Sequence, residues 1–342
     1  MMEKKKNFKL NVAFLNKNRA YILLLLVLLC GLIFGKNFFT PYNIRAVTGN
    51  GSLVIWLGIG FTIVLIAGHM DMTVMYVSTF AALLTLGFRD QFDLPWIVCI
   101  LIGSMMGVLN GLIMGFLVTK LRIHAFIASI GMQLVLKGVM YIYCNGAELS
   151  IGKDYDLNEF LNGQLLPFLP FSAYFIITTV FVILVVVLLR YTRLGRNIHM
   201  VGGNAETAWL AGIKSDRVVT AAFVISGLAA GLGGALNGIY SGAANVTMGE
   251  KGISPFYMAF TATVIGGTDI YGGKGSVMWT YVSLIMISFL KSLCKSTELQ
   301  VLVIGAALVL CLVYETVAKY NKDKILGRRP NLHLEHLQET GR

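Results

Sequence analysis

The chain has 342 residues, of which 56% are hydrophobic and only 13% are charged, whereas soluble proteins average roughly 25% charged residues. A soluble domain cannot cover so much apolar side chain with a polar surface, so the composition excludes this class and indicates an integral membrane protein. The net charge of +11 would suggest a nucleic-acid partner in a soluble protein. Here the basic residues stand between apolar runs, where they act first as topology determinants, and we expect no nucleic-acid partner.

Apolar runs predict an all-α, polytopic fold with about ten transmembrane helices, because lipid requires each spanning segment to satisfy its own backbone hydrogen bonds. The runs cover residues 20–35, 51–68, 72–88, 95–119, 123–144, 171–190, 218–241, 254–271, 276–292 and 298–316. The stretch 51–88 leaves two alternatives open. It forms either two spans around residues 68–71 or one span followed by a re-entrant segment.

The distribution of Lys and Arg predicts the orientation of the chain in the membrane. With the N-terminus inside and ten alternating spans, inside segments hold 20 Lys and Arg and outside loops hold seven, so both termini are expected in the cytoplasm. This topology gives a basic cytoplasmic N-terminal segment at 1–19, a transmembrane domain at 20–318 and a cytoplasmic tail at 319–342. Within the domain, residues 145–170 form the longest outside loop and residues 190–217 form a basic cytoplasmic loop.

Glycines recur at four-residue spacing in two predicted spans, which allows close approach of neighbouring helices. They are Gly103, Gly107, Gly111 and Gly115 in one span, and in another the pair Gly227 and Gly231 followed by the pair Gly234 and Gly238. The segments 107–115 and 234–242 share the pattern Gly-x-Leu-Asn-Gly, and the predicted topology runs them in opposite directions. This arrangement is typical of an inverted repeat, which we hold as a hypothesis.

Polar side chains within the apolar runs are candidates for a translocation pathway, because their burial in lipid is costly. They are His69, Asp71, Thr73, Asn110, Gln133 and Asn237. Two alternatives to a pathway role stay open. A hydrated turn at the membrane surface accounts for His69 and Asp71, and hydrogen bonding between helices accounts for the three amides.

The glycine-rich stretch 266–276 resembles a phosphate-binding loop but does not meet its requirements. Such a loop needs Ser or Thr directly after Gly-Lys, and here Gly275 follows Lys274. We expect a tight cytoplasmic turn with glycines at positive φ. The residues assigned to this turn are Gly266, Gly267, Asp269, Gly272, Gly273 and Lys274.

The sequence contains no convincing catalytic triad, carboxylate pair or metal-ligand spacing. The five cysteines fall in or beside apolar runs and form no C-x-x-C pair, which is typical of small buried hydrophobic residues. We therefore expect no catalytic residue, metal or cofactor. In the cytoplasmic loop, residues 204–211 have a helical pattern that Gly212 ends.

Several motifs resemble those of ribose-type (simple sugar) ABC-importer permeases, within the branched-chain amino acid/sugar permease superfamily. The resemblance extends from about residue 16 to 318. The motifs are the segments 192–213 and 264–276, together with the shorter segments 37–40, 124–128 and 143–146.

The resemblance implies a multi-pass subunit in a bacterial cytoplasmic (inner) membrane that has no ATP site of its own. Its implied partners are an ABC ATPase subunit supplying two nucleotide-binding domains, a second permease subunit (identical or different) and an extracytoplasmic solute-binding protein. It also implies that a short cytoplasmic coupling helix at residues 203–213 docks into the ATPase. The docking residues assigned in this way are Gly195, Arg196, Gly203, Asn204, Ala208, Trp209, Gly212 and Ile213.

Three departures from the family pattern affect the expected solute and partner. His69 lies in the break after the second span, the segment 254–260 lacks a common acidic pair, and Trp209 lies near a position where Arg is common. Pentoses, hexoses, polyols, nucleosides and signalling furanosides all remain open as solutes. An ion-coupled secondary transporter with His69 and Asp71 as its coupling site is the alternative function, and a membrane-embedded enzyme lacks a catalytic cluster.

Overall fold

A computed structural model describes residues 18–33, 35, 37–152, 155–166, 169–248, 250, 254–294 and 296–325. These residues form thirteen helices and one short antiparallel ladder, so the all-α prediction is confirmed apart from four strand residues. The helices are α1 Asn18–Ile33, α2 Pro41–Ile66, α3 Val74–Phe92, α4 Trp96–Thr119, α5 Ala125–Cys144, α6 Asp156–Asn162, α7 Ala173–Tyr191, α8 Arg193–Gly203, α9 Ala205–Leu210, α10 Ser215–Ser241, α11 Pro255–Ile265, α12 Val277–Leu293 and α13 Thr297–Ile325. Strand β1 Leu149–Ser150 pairs with β2 Ala243–Ala244. Most of the predicted segments 1–19 and 319–342 lies outside the described residues.

Five helices are both long enough and apolar enough to cross a membrane: α2, α4, α5, α7 and α10. Shorter apolar helices are α1, α11, α12 and residues 297–313 of α13. The chain is therefore a multi-pass membrane protein. The count of ten spans, and the cytoplasmic location of both termini, stay predictions.

Three helix boundaries differ from the predicted ones by six residues or more. Helix α13 ends at Ile325, nine residues later than predicted. The other two differences have local reasons. Helix α2 begins ten residues earlier than predicted, because the Thr40 side chain accepts a hydrogen bond from the backbone N–H of Asn43 and Pro41 occupies the first turn. Helix α11 ends at Ile265, six residues earlier than predicted, because the glycine turn begins there. In the ambiguous stretch 51–88, the structure has two helices joined by residues 67–73.

Helix α2 is the central helix of the molecule. Every residue of this helix from Gly51 to Ile66 is buried. Gly58 packs against Leu284 of α12, and Gly60 packs against Ser226 of α10. The indole N–H of Trp56 donates to the Thr178 hydroxyl of α7 at 2.9 Å. Glycine on α2 therefore allows neighbouring helices to lie close to it.

Helices α4 and α10 pack against each other in antiparallel directions through the glycine faces. Gly103 lies near Ala235 at one end of the seam, and Gly115 lies against Thr220 at the other. Between them, a Cβ atom added to Gly107 would overlap the carbonyl oxygen of Gly227. The predicted opposite directions of these two helices are thus observed.

The second glycine pair of α10 serves a different contact. Gly234 packs against the backbone of Ser78, and Gly238 packs against Ala82, both on α3. The two copies of the Gly-x-Leu-Asn-Gly pattern therefore contact different helices. A two-fold relation between them stays a prediction.

Replacing Gly107 with alanine is expected to lower the free energy of unfolding by about 1–3 kcal/mol, because the added methyl group forces α4 away from α10. The measurement is unfolding in mixed detergent micelles with increasing denaturing detergent. Gly138→Ala on α5 is the matched control, because its Cβ would meet no atom within 4 Å. Equal stability of the two variants would contradict the packing argument.

Candidate functional site

A buried polar network lies where the chain enters α3. The backbone N–H and the hydroxyl of Thr73 both donate to Asp71 Oδ1, at 2.9 and 2.7 Å. The amide of Asn110, from the middle of α4, donates to Thr73 Oγ1 at 2.9 Å. All three residues are at most 2% exposed. Three of the residues predicted from their polarity are therefore joined in one hydrogen-bonded network.

The network has spare hydrogen-bonding capacity. Asn110 Oδ1 is inaccessible and has no hydrogen-bond partner among the described residues. A buried acceptor without a partner costs free energy, on the order of 1–3 kcal/mol. A buried water molecule that donates to this oxygen would offset that cost.

The other polar candidates lie apart from this network. His69 is half-buried, with its ring centroid 6.1 Å from that of Phe223 on α10. Gln133 is half-buried on α5, and Asn237 is buried on α10. Among the described residues, no side-chain hydrogen bond joins these three to Asp71 or its partners.

Two turns and the end of one helix meet at a glycine junction. It is formed by Gly68 after α2, Gly202 in the last turn of α8, and Gly272 with Gly273 between α11 and α12. The backbone N–H of Gly273 donates to the carbonyl of Ile66 at 2.8 Å. A Cβ at Gly202 would overlap that same carbonyl oxygen, and one at Gly272 would lie 2.6 Å from the Gly68 Cα. Gly68, Gly272 and Gly273 have φ of 84°, 91° and 74°, values that favour glycine. The three backbones therefore pack directly on one another.

The turn between α11 and α12 has the local structure expected of its sequence. Gly267 has φ of 89°, in addition to the positive values at the junction, so the predicted positive φ angles are confirmed there. Gly266 instead keeps a right-handed conformation as the cap of α11. Asp269 Oδ1 accepts from the N–H of Tyr271 at 3.0 Å, while Lys274 is exposed. Asp269 therefore stabilises the turn.

Helix α8 lies within the predicted cytoplasmic loop and was not predicted. Its N-terminus is capped by Thr192, whose hydroxyl accepts from the N–H of Gly195 at 3.2 Å. Ile198 and Val201 are buried, and with Leu194 they follow the i, i+4, i+7 spacing of an amphipathic helix. That spacing was the sequence signal for α8. Gly195 is buried, whereas Arg196 is exposed.

Helix α9 is the short helix predicted within residues 204–211. Asn204 Oδ1 accepts from the N–H of Thr207 at 2.9 Å, and Gly212 ends the helix with φ of 79°. Ala208 is 1% exposed, whereas Trp209 and Leu210 are 68% and 73% exposed. The helix therefore rests on the protein through its small residue and presents its large apolar residues outward. Gly203, Asn204 and Gly212 are exposed, and Ile213 is half-buried.

A groove of about 610 Å³ runs beside α9. Asp216 at the start of α10 lies 3.2 Å from the Arg122 guanidinium and 3.8 Å from the Lys120 ammonium. These pairs join the turn between α4 and α5 to the start of α10. The residues lining the groove are Lys120, Arg122, Ala205, Glu206, Trp209, Lys214, Ser215, Asp216 and Arg217.

Comparison with known proteins identifies the family. The family described as "Branched-chain amino acid transport system / permease component" matches residues 43–312. The chain belongs to this family. The match includes the buried network, the glycine junction and α9.

Named relatives of this permease are similar to it over most of their length. The ribose import permease protein RbsC of Haemophilus influenzae is 28% identical over 295 residues, covering 85% of this chain and 89% of the relative. The D-allose transport system permease protein AlsC of Escherichia coli is 27% identical over 298 residues (84% and 88%). The fructose import permease protein FrcC of Rhizobium meliloti is 27% identical over 265 residues (75% and 72%). No solved structure matches the chain.

Sequence reasoning missed two parts of the permease site. Gly68 and Gly202 were not singled out, although each lies in a motif used for the resemblance or its departures. Their contacts depend on two loops that are distant in sequence. The only local signal for this junction was the glycine pair Gly202-Gly203 at the end of the amphipathic segment that forms α8.

Proposed function

We propose that the chain is the membrane-spanning permease subunit of a binding-protein-dependent ABC importer for a simple sugar or a related small polar solute. The observation that carries the proposal is the glycine junction. It brings the predicted ATPase-docking loop into backbone contact with the break that leads to the Asp71–Thr73–Asn110 network. The family and the relatives named for ribose, allose and fructose support a sugar as the solute.

The partners follow from the same proposal. An ATPase subunit with two nucleotide-binding domains supplies the energy, since the sequence has no phosphate-binding loop. A second permease subunit and an extracytoplasmic binding protein complete the importer in the bacterial cytoplasmic membrane. The exposed Trp209 and Leu210 on α9 suit an ATPase groove, because exposed apolar residues on a rigid helix are typical interface anchors.

The junction gives a physical route for alternating access. Movement of α9 displaces α8, whose terminal Gly202 packs on the Ile66 carbonyl at the end of α2. Direct backbone packing leaves no flexible side chain to absorb the displacement. The break after α2, with Asp71 and Thr73, therefore shifts relative to α4, which carries Asn110.

Reconstitution in proteoliposomes with the ATPase and the binding protein tests this function. Uptake of radiolabelled D-ribose, D-allose and D-fructose is measured with and without ATP. We expect ATP-dependent uptake of at least one sugar that ionophores do not reduce. Uptake by the chain alone, driven by a proton or sodium gradient, would overturn the proposal and support an ion-coupled carrier using His69 and Asp71.

A further inference from the structure

A second polar cluster, separate from the Asp71 network, joins three distant parts of the chain. Glu250 lies in the segment between β2 and α11. Its Oε1 accepts hydrogen bonds from the Lys137 ammonium on α5 at 2.7 Å and from the Tyr76 hydroxyl on α3 at 3.0 Å. The function described above uses none of these residues.

The cluster lies at the depth of the membrane-spanning helices. Lys137 is the thirteenth of 20 residues in α5, which places it about 18 Å from the start of that helix and about 10 Å from its end. Glu250 Oε1 lies 2.7 Å from the Lys137 ammonium and therefore at about the same depth.

The ion pair is not enclosed by the chain itself. The side chains of Lys137 and Glu250 are 32% and 36% exposed. Charged groups facing lipid are costly, and intramembrane charges instead face a water-filled cavity or another protein. A water-filled pathway along the face that carries this pair satisfies this requirement.

The cluster offers donors and an acceptor that the chain leaves unused. Both hydrogen bonds to Glu250 go to Oε1, and Oε2 has no hydrogen-bond partner among the described residues. The Lys137 ammonium has three N–H groups and makes one hydrogen bond within that part of the chain. A hydroxyl group both donates and accepts, so adjacent hydroxyls of one solute match this pairing.

Neighbouring side chains extend the same surface. Gln133 lies one helical turn before Lys137 on α5, so the two share a face. Tyr257, at the start of α11, is 56% exposed. Two tyrosine rings beside a few polar groups are typical of small-molecule sites, in which apolar rings pack on the solute and polar groups orient it.

We propose that Tyr76, Lys137 and Glu250 form a contact site for the hydroxyl groups of a neutral, polyhydroxylated solute on the translocation pathway. This proposal rests on the proposed function and names residues that decide which solute passes. The charge pair has no net charge, so it binds hydroxyls without attracting ions.

Uptake of D-ribose, D-allose and D-fructose by the complete importer tests the site in Tyr76→Phe and Glu250→Gln variants. Because the binding protein is the same in every sample, any change in the ratio between sugars reports on the permease. Losing one hydrogen bond to a charged group is expected to lower uptake of the preferred sugar about tenfold and to change that ratio. ATP hydrolysis stimulated by the loaded binding protein is expected to persist.

Glu148→Gln is the matched control. Glu148 is another exposed carboxylate, and it accepts a hydrogen bond from Asn245, near Glu250 in the chain, at 2.7 Å. We expect it to leave the sugar ratio unchanged. The charge-exchanged double variant K137E/E250K restores the ion pair with the donor and the acceptor in exchanged positions, so its sugar ratio should differ from that of the parent protein.

Three outcomes would overturn the site. The first is an unchanged sugar ratio in the single variants, and the second is an equal loss of sugar uptake and of stimulated ATP hydrolysis in them. The third is full restoration of the uptake rate and the sugar ratio in the double variant, which would make the ion pair purely structural. Absence of ATP-driven uptake in the parent protein would instead defeat the function and the site together. Failure of the contact site alone is thus distinguishable from failure of the proposed function.

Discussion

Replacing Trp209 with alanine is expected to weaken association of the ATPase about 30-fold or more and to abolish ATP-driven uptake. Tryptophan is the residue type most enriched among interface anchors, and truncating an anchor typically costs at least about 2 kcal/mol. Trp209 is 68% exposed, whereas Ala208, through which α9 rests on the protein, is 1% exposed and is unchanged by the substitution. Association is measured by co-purification and by titration of the ATPase on the reconstituted permease.

The local structure explains why this substitution isolates docking from folding. Asn204 caps one end of α9, and the N–H of Ile213 returns to the carbonyl of Ala208 at 3.0 Å at the other. Ala208 is buried, so a bulky charged residue there would dislodge the helix itself. Substitution at Trp209 changes the outward surface of α9 and the edge of the groove beside it.

Tyr42→Ala is the control for Trp209→Ala. Tyr42 is also a large exposed aromatic residue, with 81% exposure. It lies 24 residues before Ile66 on α2, so it is about 36 Å from the end of that helix at the glycine junction. If Trp209→Ala retained normal ATPase binding and uptake, α9 would not be the docking helix.

Replacing Gly202 with alanine is expected to reduce uptake at least about tenfold, because a Cβ at this position overlaps the Ile66 carbonyl and forces the two backbones apart. The same movement breaks the hydrogen bond from Gly273 to Ile66. ATPase association should persist, since Trp209 stays exposed. The diagnostic quantity is sugar transported per ATP hydrolysed, and we expect it to fall.

Gly203→Ala is a control one residue away. Its Cβ would meet only the Gly273 Cα, at 3.9 Å, an ordinary van der Waals distance. We expect normal thermal stability and normal transport per ATP hydrolysed in this variant, because that ratio does not depend on how tightly the ATPase docks at Gly203. Equal transport per ATP in Gly202→Ala and Gly203→Ala would show that the glycine junction does not transmit the movement of α8 to the break after α2.

Much of the fold was predictable because hydrophobicity and charge act locally along a membrane protein. Each spanning helix satisfies its own hydrogen bonds, so apolar runs alone located α4, α5, α7 and α10 to within a few residues. Capping decided the boundaries that were missed, as Thr40 and Pro41 did for α2. Amphipathic spacing in α8 was present but was hidden within a basic loop.

The candidate site, like the fold, was predictable only in part from the sequence. The order of residues was enough to predict a polytopic helical membrane protein with a permease's motifs, a short capped helix ending at Gly212 and a glycine turn without a phosphate-binding loop. The packing of the helices was needed to join Asp71, Thr73 and Asn110 through hydrogen bonds, and to pair Glu250 with Lys137. Composition and periodicity report how a segment meets lipid or water, whereas a pairing between residues 113 positions apart depends on how whole helices pack.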